Sequence, residues 1–462
     1  MSKRILIAAL CAGMLIGLCS CAKGAPLTDE TSEVEQTLDI VGNNFSPVPT
    51  VKLETPVITY LGTGSVPQSS AELYRKTYAA QYFDASSGQY VFPDGSGRLI
   101  VSRTVTEGQL PDELIASIQS DSSPDLTDKL DNSYPYLMSR NIYEDLTAYM
   151  DMSSPQWVDM GEYVERYEFN GKHFYYPWDS TLSPQLLFYN RGLFEQYGIP
   201  DPAELLDEDN WTWETFLEDC RLFVLADDNA AELYGKDIAE NFMASTGVML
   251  IGKDENGKLT NNFASEEISR AAEWLEEFAQ NVSEDCSDEA AEEGLAAFYS
   301  ADREYADETE LFFVPYPKDG QAEKYFCRAS TRGYLVPKGA KNVVGACCFI
   351  NCCRLDIYGD IPDETSDSFE TSLCAITSES GELQTAESEP EITAADILKK
   401  LRNPDMFSGV ADENRCFSEE TNAVIDDMLN GILYGDDINW ERRCAENFPL
   451  INAAVDEINS LI

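Results

Sequence analysis

Apolar and polar positions along this chain switch repeatedly between strand-like and helix-like spacing. Pro56 to Tyr60 reads as a short apolar strand, and Leu61-Gly-Thr-Gly-Ser65 after it as a turn-rich loop. Residues from about Ser70 to Phe83 read as a helix and Arg98 to Val105 as a second strand. Pro111 opens the next helix at its favoured first position, with Asp112 and Glu113 at the positive end of the dipole. Leu114, Ile115 and Ile118 supply its apolar stripe, and Ser123-Pro-Asp-Leu126 closes the unit. A second alternating stretch begins near Leu186. There Thr212 is placed to cap a helix carrying Glu214, Phe216, Leu217, Phe223 and Val224. Ser265, followed by Glu266 and Glu267, caps another, whose buried stripe is Ile268, Ala272, Leu275 and Ala279. Residues 359–394 form an acidic, Ser/Thr-rich excursion with little periodicity, and the chain reads as helical again from Ala394. The alternation predicts an α/β fold with loops clustered at one edge of each sheet, and no internal repeat is visible.

Composition narrows the function. The chain has 462 residues, of which 43% are apolar and 11% aromatic, ample for buried cores. At roughly 100–200 residues per domain the length suggests two or three domains. There are 83 Asp and Glu against 32 Lys and Arg, a formal net charge of −51. That sign excludes nucleic acid, which is held by cations that displace counterions, and it disfavours an anionic lipid surface. The single histidine, His173, removes His-rich metal sites and leaves His-dependent nucleophilic catalysis only to that residue. As a hairpin residue before Tyr175 and Tyr176 it needs no function. Cys347-Cys348-Phe-Ile-Asn-Cys352-Cys353 suggests a metal, but adjacent cysteines on a helix point about 100° apart, which suits no closed tetrahedral site. Val343 to Ile350 reads instead as a buried helix. Asp254-Glu-Asn-Gly257 lacks the downstream ligands of a calcium loop and reads as a β-turn. No metal and no cofactor is expected.

The first residues are an address label. Lys3 and Arg4 precede an apolar run, Ile5 to Leu18, too short for a comfortable membrane span. It ends in Leu18-Cys-Ser-Cys21, which resembles a bacterial lipoprotein signal. Residues 1–20 are expected to be removed and Cys21 to be lipidated, with an ordinary signal peptide as the alternative. Residues 21–54 are polar and acidic and read as a flexible tether. The membrane is reached through that N-terminal lipid only.

Several segments in order resemble the extracellular solute-binding proteins of the maltose-binding, family 1 class. They are Glu113 to Leu126, Tyr134 to Leu146, Asn170-Gly-Lys-His-Phe-Tyr-Tyr-Pro177, and Leu187-Phe-Tyr-Asn-Arg-Gly-Leu-Phe194. Trp211-Thr-Trp-Glu-Thr-Phe216, Val314-Pro-Tyr-Pro-Lys318 and Gly333 to Asn342 complete the series. The resemblance implies the two-lobe periplasmic-binding-protein-like fold of type II, with hinge-linked lobes and a ligand cleft. Lobe one would span 55–182 plus 318–358, and lobe two 183–317 plus 395–462. Residues 300–310 and 226–241 are shorter than the family's pattern, so lobe two is expected to be trimmed.

Candidate ligand contacts follow. Trp178, Asp179 and Ser180 occupy what the resemblance makes a cleft position. An indole face stacks on a pyranose, and a carboxylate accepts hydroxyl hydrogen bonds. A buried Trp beside a capping Asp is the alternative. Gly64 and Ser65 lie in the loop after the first strand, where such loops face a cleft; a plain glycine turn reads equally well. Asp125 lies in a comparable loop and could equally cap its own segment. Arg332 and Tyr334 precede the returning strand. Trp157, Trp211, Trp213, Trp274 and Trp440 read as packing residues. The implied function is a lipid-anchored binding subunit of an ABC importer, taking a small-molecule ligand, a sugar or oligosaccharide, to the permease subunits. The alternatives are a degenerate binding protein acting as surface scaffold or sensor, and a glycosidase using two carboxylates.

Overall fold

A computed structural model describes residues 53–93, 95, 97–227, 230–279, 296–307, 309, 311–360, 392–411, 416–434 and 439–462. The leader, Cys21, nearly all of the tether and residues 361–391 of the acidic excursion lie outside the described residues.

Two four-stranded sheets carry the molecule. In the first, the order is Tyr334–Leu335, Leu126–Asp128, Ile58–Gly62, Ile100–Thr104. Ile58–Gly62 runs parallel to both Leu126–Asp128 and Ile100–Thr104, and Tyr334–Leu335 is antiparallel. In the second, the order is Ala231–Gly235, Ala296–Asp302, Gln185–Tyr189, Phe312–Val314. A third sheet joins them: Phe407–Ala411, Tyr325–Arg332 and Asp179–Leu182. Its two crossing strands pair antiparallel from Asp179 opposite Arg332 to Leu182 opposite Ala329. Asp179–Leu182 leads through Ser183 and Pro184 into the second sheet, and Tyr325–Arg332 leads through Gly333 into the first. Buried Arg328 on the returning strand ties it to the second sheet's side, with Nη1 3.1 Å from both Asp237 and Glu240.

The helices form where the sequence places them. Thr212 accepts a hydrogen bond from Thr215 N and caps Trp213–Ala226; Ser265 accepts from Ile268 N and caps Glu266–Phe278. Val343–Asp360 is a helix whose Cys347, Cys348, Cys352 and Cys353 are buried as free thiols. It packs against Gln68–Tyr78, with Tyr74 and Phe349 rings 5.6 Å apart. Burial pushes the Cys348 thiol up to about 12. These cysteines fill small apolar volume in the packed helix. Asp254 accepts from the amides of Asn256 and Lys258, and Gly257 has φ +76°, as a β-turn requires.

Two expectations shift. The first helix stops at Tyr78, and Tyr82 to Phe92 instead form an aromatic excursion around the hairpin Phe83–Asp84 with Gln89–Tyr90. Its rings pack on one another, and the Arg75 guanidinium of the helix lies 5.6 Å over Tyr90. In Leu110–Gln119 the buried face is Leu110, Leu114 and Ser117, with Ile115 and Ile118 half-buried beside it.

Two acids sit inside the second unit. Asp219, 1% exposed on Trp213–Ala226, has no hydrogen-bond partner for Oδ2 among the described residues. Burial, with Glu218 and Asp201 beside it, pushes its carboxyl up to about 8. Glu232 is pushed up to about 7 by burial, against the pull of Arg221. Both folded values exceed those of an unfolded chain, so this stability is present below about pH 4 and is lost as pH rises through 7 to 8. Asp219→Asn removes one of the two titrations at nearly constant shape. Its melting temperature relative to the wild type is expected to be higher at pH 8 than at pH 5. A difference that does not change between the two pH values contradicts the assignment.

Candidate ligand site at the end of the first sheet

The carboxyl ends of Ile58–Gly62 and Leu126–Asp128 meet the point where the crossing strands enter the first sheet. Tyr60 leans along its own strand and donates from Oη to Asp128 Oδ1 at 2.6 Å. Asp128 Oδ2 accepts from Thr63 N at 2.7 Å and from Thr63 Oγ1 at 3.1 Å. Burial, then the Asp128 bond, holds the Tyr60 phenol well above its ordinary pKa, so it stays a donor. A Cβ at Gly62 would lie 2.0 Å from Tyr60 Oη and 2.5 Å from Asp128 Oδ2. Only glycine lets this turn close. Gly64, by contrast, faces open space, and Gly64 and Ser65 are exposed.

The ring of Tyr60 stands edge-on to Tyr334, 5.7 Å away, and Tyr334 lies 6.1 Å from Trp178. Trp178 N donates to Arg332 O at 2.9 Å. The Arg332 guanidinium sits 5.1 Å over the Trp178 ring and donates from Nε to Asp179 Oδ2 at 2.9 Å. Trp178 is 6% exposed, and its Nε1–H finds no acceptor among the described residues. Ser180 pairs with Thr331, whose hydroxyl is 2.8 Å from Tyr167 Oη. The result is an aromatic floor of Tyr60, Tyr334 and Trp178. Its polar rim is Thr63, Asp128, Asp179, Ser180 and Arg332. The three rings are buried in the first core, Tyr334 also lying 6.1 Å from Phe349, with the polar groups at their edge. The Arg332 guanidinium covers one face of the Trp178 ring, which was expected to stack on a ligand.

The structure therefore brings Trp178, Asp179, Arg332 and Tyr334 into contact, with Ser180 next along the strand. Gly64 and Ser65 lie in the adjoining loop. Asp125 is placed elsewhere. It is buried at the amino end of Leu126–Asp128, the edge opposite the loop of Gly64. Its Oδ2 accepts from Thr59 N and Oγ1, and its Oδ1 from Asn342 N. Its two oxygens are bound within the protein, so it fastens strands and does not offer a ligand contact. Sequence reasoning missed Asp128 and Tyr60; Thr63 lies within the loop from Gly62 to Ser65 that the sequence singles out. The signal was available: in parallel sheets the residue leaving a strand, not the one entering it, reaches the functional edge. His173 is half-buried, with Nε2 3.4 Å from Glu165. No group of His, Cys, Asp or Glu that could hold a metal occurs among the described residues.

Residues 100–354 match the family model of the bacterial extracellular solute-binding proteins, more than half of the chain. The chain belongs to that family. Its fold is shared with solved sugar-binding proteins at low identity. The cyclic α-maltosyl-1,6-maltose binding protein of Arthrobacter globiformis is 13% identical at a TM-score of 0.56, covering 87% of this chain and 98% of that one. The sugar-binding protein from Xanthomonas citri is also 13% identical at 0.56, covering 87% and 97%. A substrate-binding protein from Listeria monocytogenes, solved with cycloalternan, is 14% identical at 0.53, covering 87% and 98%. No curated protein matches the sequence.

Gly62→Ala forces Tyr60 and Asp128 apart and is expected to lower stability by about 1–3 kcal/mol. Gly64→Ala, in open space, is expected to change it by less than about 0.5 kcal/mol. Thermal melting of both variants checks this, and equal effects would refute the stated packing.

Proposed function

We propose that the chain is the lipid-anchored substrate-binding subunit of an ABC importer, holding a carbohydrate between its lobes for delivery to the permease subunits. The observation that carries this reading is the cluster of Tyr60, Tyr334 and Trp178 with Asp179 on its rim, set where the crossing strands enter the first sheet. A neutral sugar suits it: rings cover the apolar face of a pyranose, and carboxylates accept paired hydroxyls. The acidic chain opposes anionic ligands. Relatives of this fold were solved with maltotriose, cycloalternan and β-1,6-galactobiose. The proposed lobes are 55–182 plus 318–358 and 183–317 plus 395–462. Contacts made by both stabilise only the closed form. No catalytic residue is assigned.

One observation favours a second reading, a degenerate binding protein serving as scaffold or sensor: Arg332 already occupies the face of Trp178.

A thermal-shift panel of maltotriose, cycloalternan and β-1,6-galactobiose separates the two. The importer reading expects at least one sugar to raise the melting temperature, and Trp178→Ala to weaken its binding by about tenfold or more. No shift with any sugar favours the scaffold. Lipid anchoring is tested separately. Cys21→Ala is expected to move the protein from the membrane fraction to the soluble one, and an unchanged distribution rejects the anchor.

A further inference from the structure

Besides the crossing strands, the chain joins its two units at a second place. On one side lie residues 133–172, which give Trp157, Met160 and Val164 to the first core and Tyr134, Met138 and Tyr167 to the core shared with the second sheet. On the other lies the hairpin Ile251–Lys253 with Leu259–Asn261. That hairpin is fastened to the last helix, Trp440–Asn459. Asn459 Oδ1 accepts from Leu259 N at 2.8 Å, and its Nδ2 donates to Leu259 O at 3.0 Å. Asn261 Nδ2 donates to Asn452 Oδ1 at 2.8 Å.

Lys253 reaches from this hairpin to the opposite side. Its Nζ donates to the backbone carbonyls of Arg166 at 2.9 Å and Glu168 at 2.6 Å, 5.0 Å above the Tyr134 ring. Arg140 Nη2 donates to Glu457 Oε1 at 2.5 Å, and its guanidinium lies 3.6 Å over Tyr136. Asn170 Nδ2 donates to Leu461 O at 3.5 Å. These contacts differ in weight. Glu457 is 61% exposed, and exposed ion pairs contribute little. Lys253 is half-buried, and its ammonium exchanges water for two carbonyls and a ring face. Burial, against the pull of Glu168 and Glu165, holds its pKa below the ordinary lysine value. These contacts exist only while the two sides stay together.

We propose that Lys253 is a positioning residue: it straps the hairpin and last helix of lobe two to lobe one in the unliganded protein, and so sets the fraction of molecules ready to bind. The proposal rests on the binding reading above, but its central test needs no ligand. A contact present in only one arrangement shifts the equilibrium toward it, and apparent affinity falls by the competent fraction.

Small-angle scattering of the unliganded protein reads the strap directly. Lys253→Met is expected to enlarge the radius of gyration, and Lys253→Arg, which keeps the donors, to restore it. Glu457→Gln is expected to give a smaller increase. Where maltotriose binds the wild type, Lys253→Met is expected to raise its Kd about tenfold, within the usual range of coupling between sites. Unchanged scattering in a folded Lys253→Met protein overturns the proposal. If that variant does not fold, Lys253→Gln takes its place and the same two scattering outcomes decide. Failure of maltotriose to bind either protein counts against the ligand, and scattering still decides the strap.

Discussion

The antiparallel pairing of Asp179–Leu182 with Tyr325–Arg332 governs the rest of the molecule. Four residue pairs set the register in which one sheet is handed to the other. The last of them, Asp179 with Arg332, lies where both strands meet the first sheet. The backbone bond from Trp178 to Arg332 continues it. The proposed ligand contacts are thus extensions of the crossing strands. In the proposed reading, closure and recognition share the same few residues.

Much of this was legible in the sequence, for physical reasons. Helices announced themselves at Thr212 and Ser265, because a capping side chain must precede the first turn whatever packs around it. The ordered series from Glu113 to Asn342 resembled one family, and family and fold agree with that resemblance. The site was legible in part. Trp178 and Asp179 lie beside the Asn-Gly-Lys hairpin. Arg332 and Tyr334 stand where the chain returns. Asp125 misled because a Pro-Asp loop looks alike at either end of a strand, and only the register of Tyr60 against Leu126 tells the ends apart. Tyr60 read as a strand residue, and its use could not be seen until Gly62 brought Asp128 close. The cross-lobe role of Lys253 is set by packing between segments about a hundred residues apart, which no local pattern encodes.

The charge acquires structure as well. A formal charge of −51 suggests uniform surface acidity. The fold instead sets some acids apart. Asp125 and Asp128 fasten strands, Asp237 and Glu240 hold buried Arg328, and Asp219 and Glu232 lie where their charged forms are disfavoured. The remaining acids keep like-charged chains apart.

The four thiols along Val343–Asp360 carry a consequence for a protein of an extracellular family. Outside the cell, unpaired sulfur is exposed to oxidants and to exchange with other disulfides. Here the neutral, enclosed thiol is the protective state, since the thiolate is the species that reacts. The helix therefore couples chemical lifetime to folding. Every excursion that parts it from Gln68–Tyr78 bares adjacent sulfurs that could cross-link irregularly. The chemical lifetime of these four thiols then depends on how seldom this interface opens.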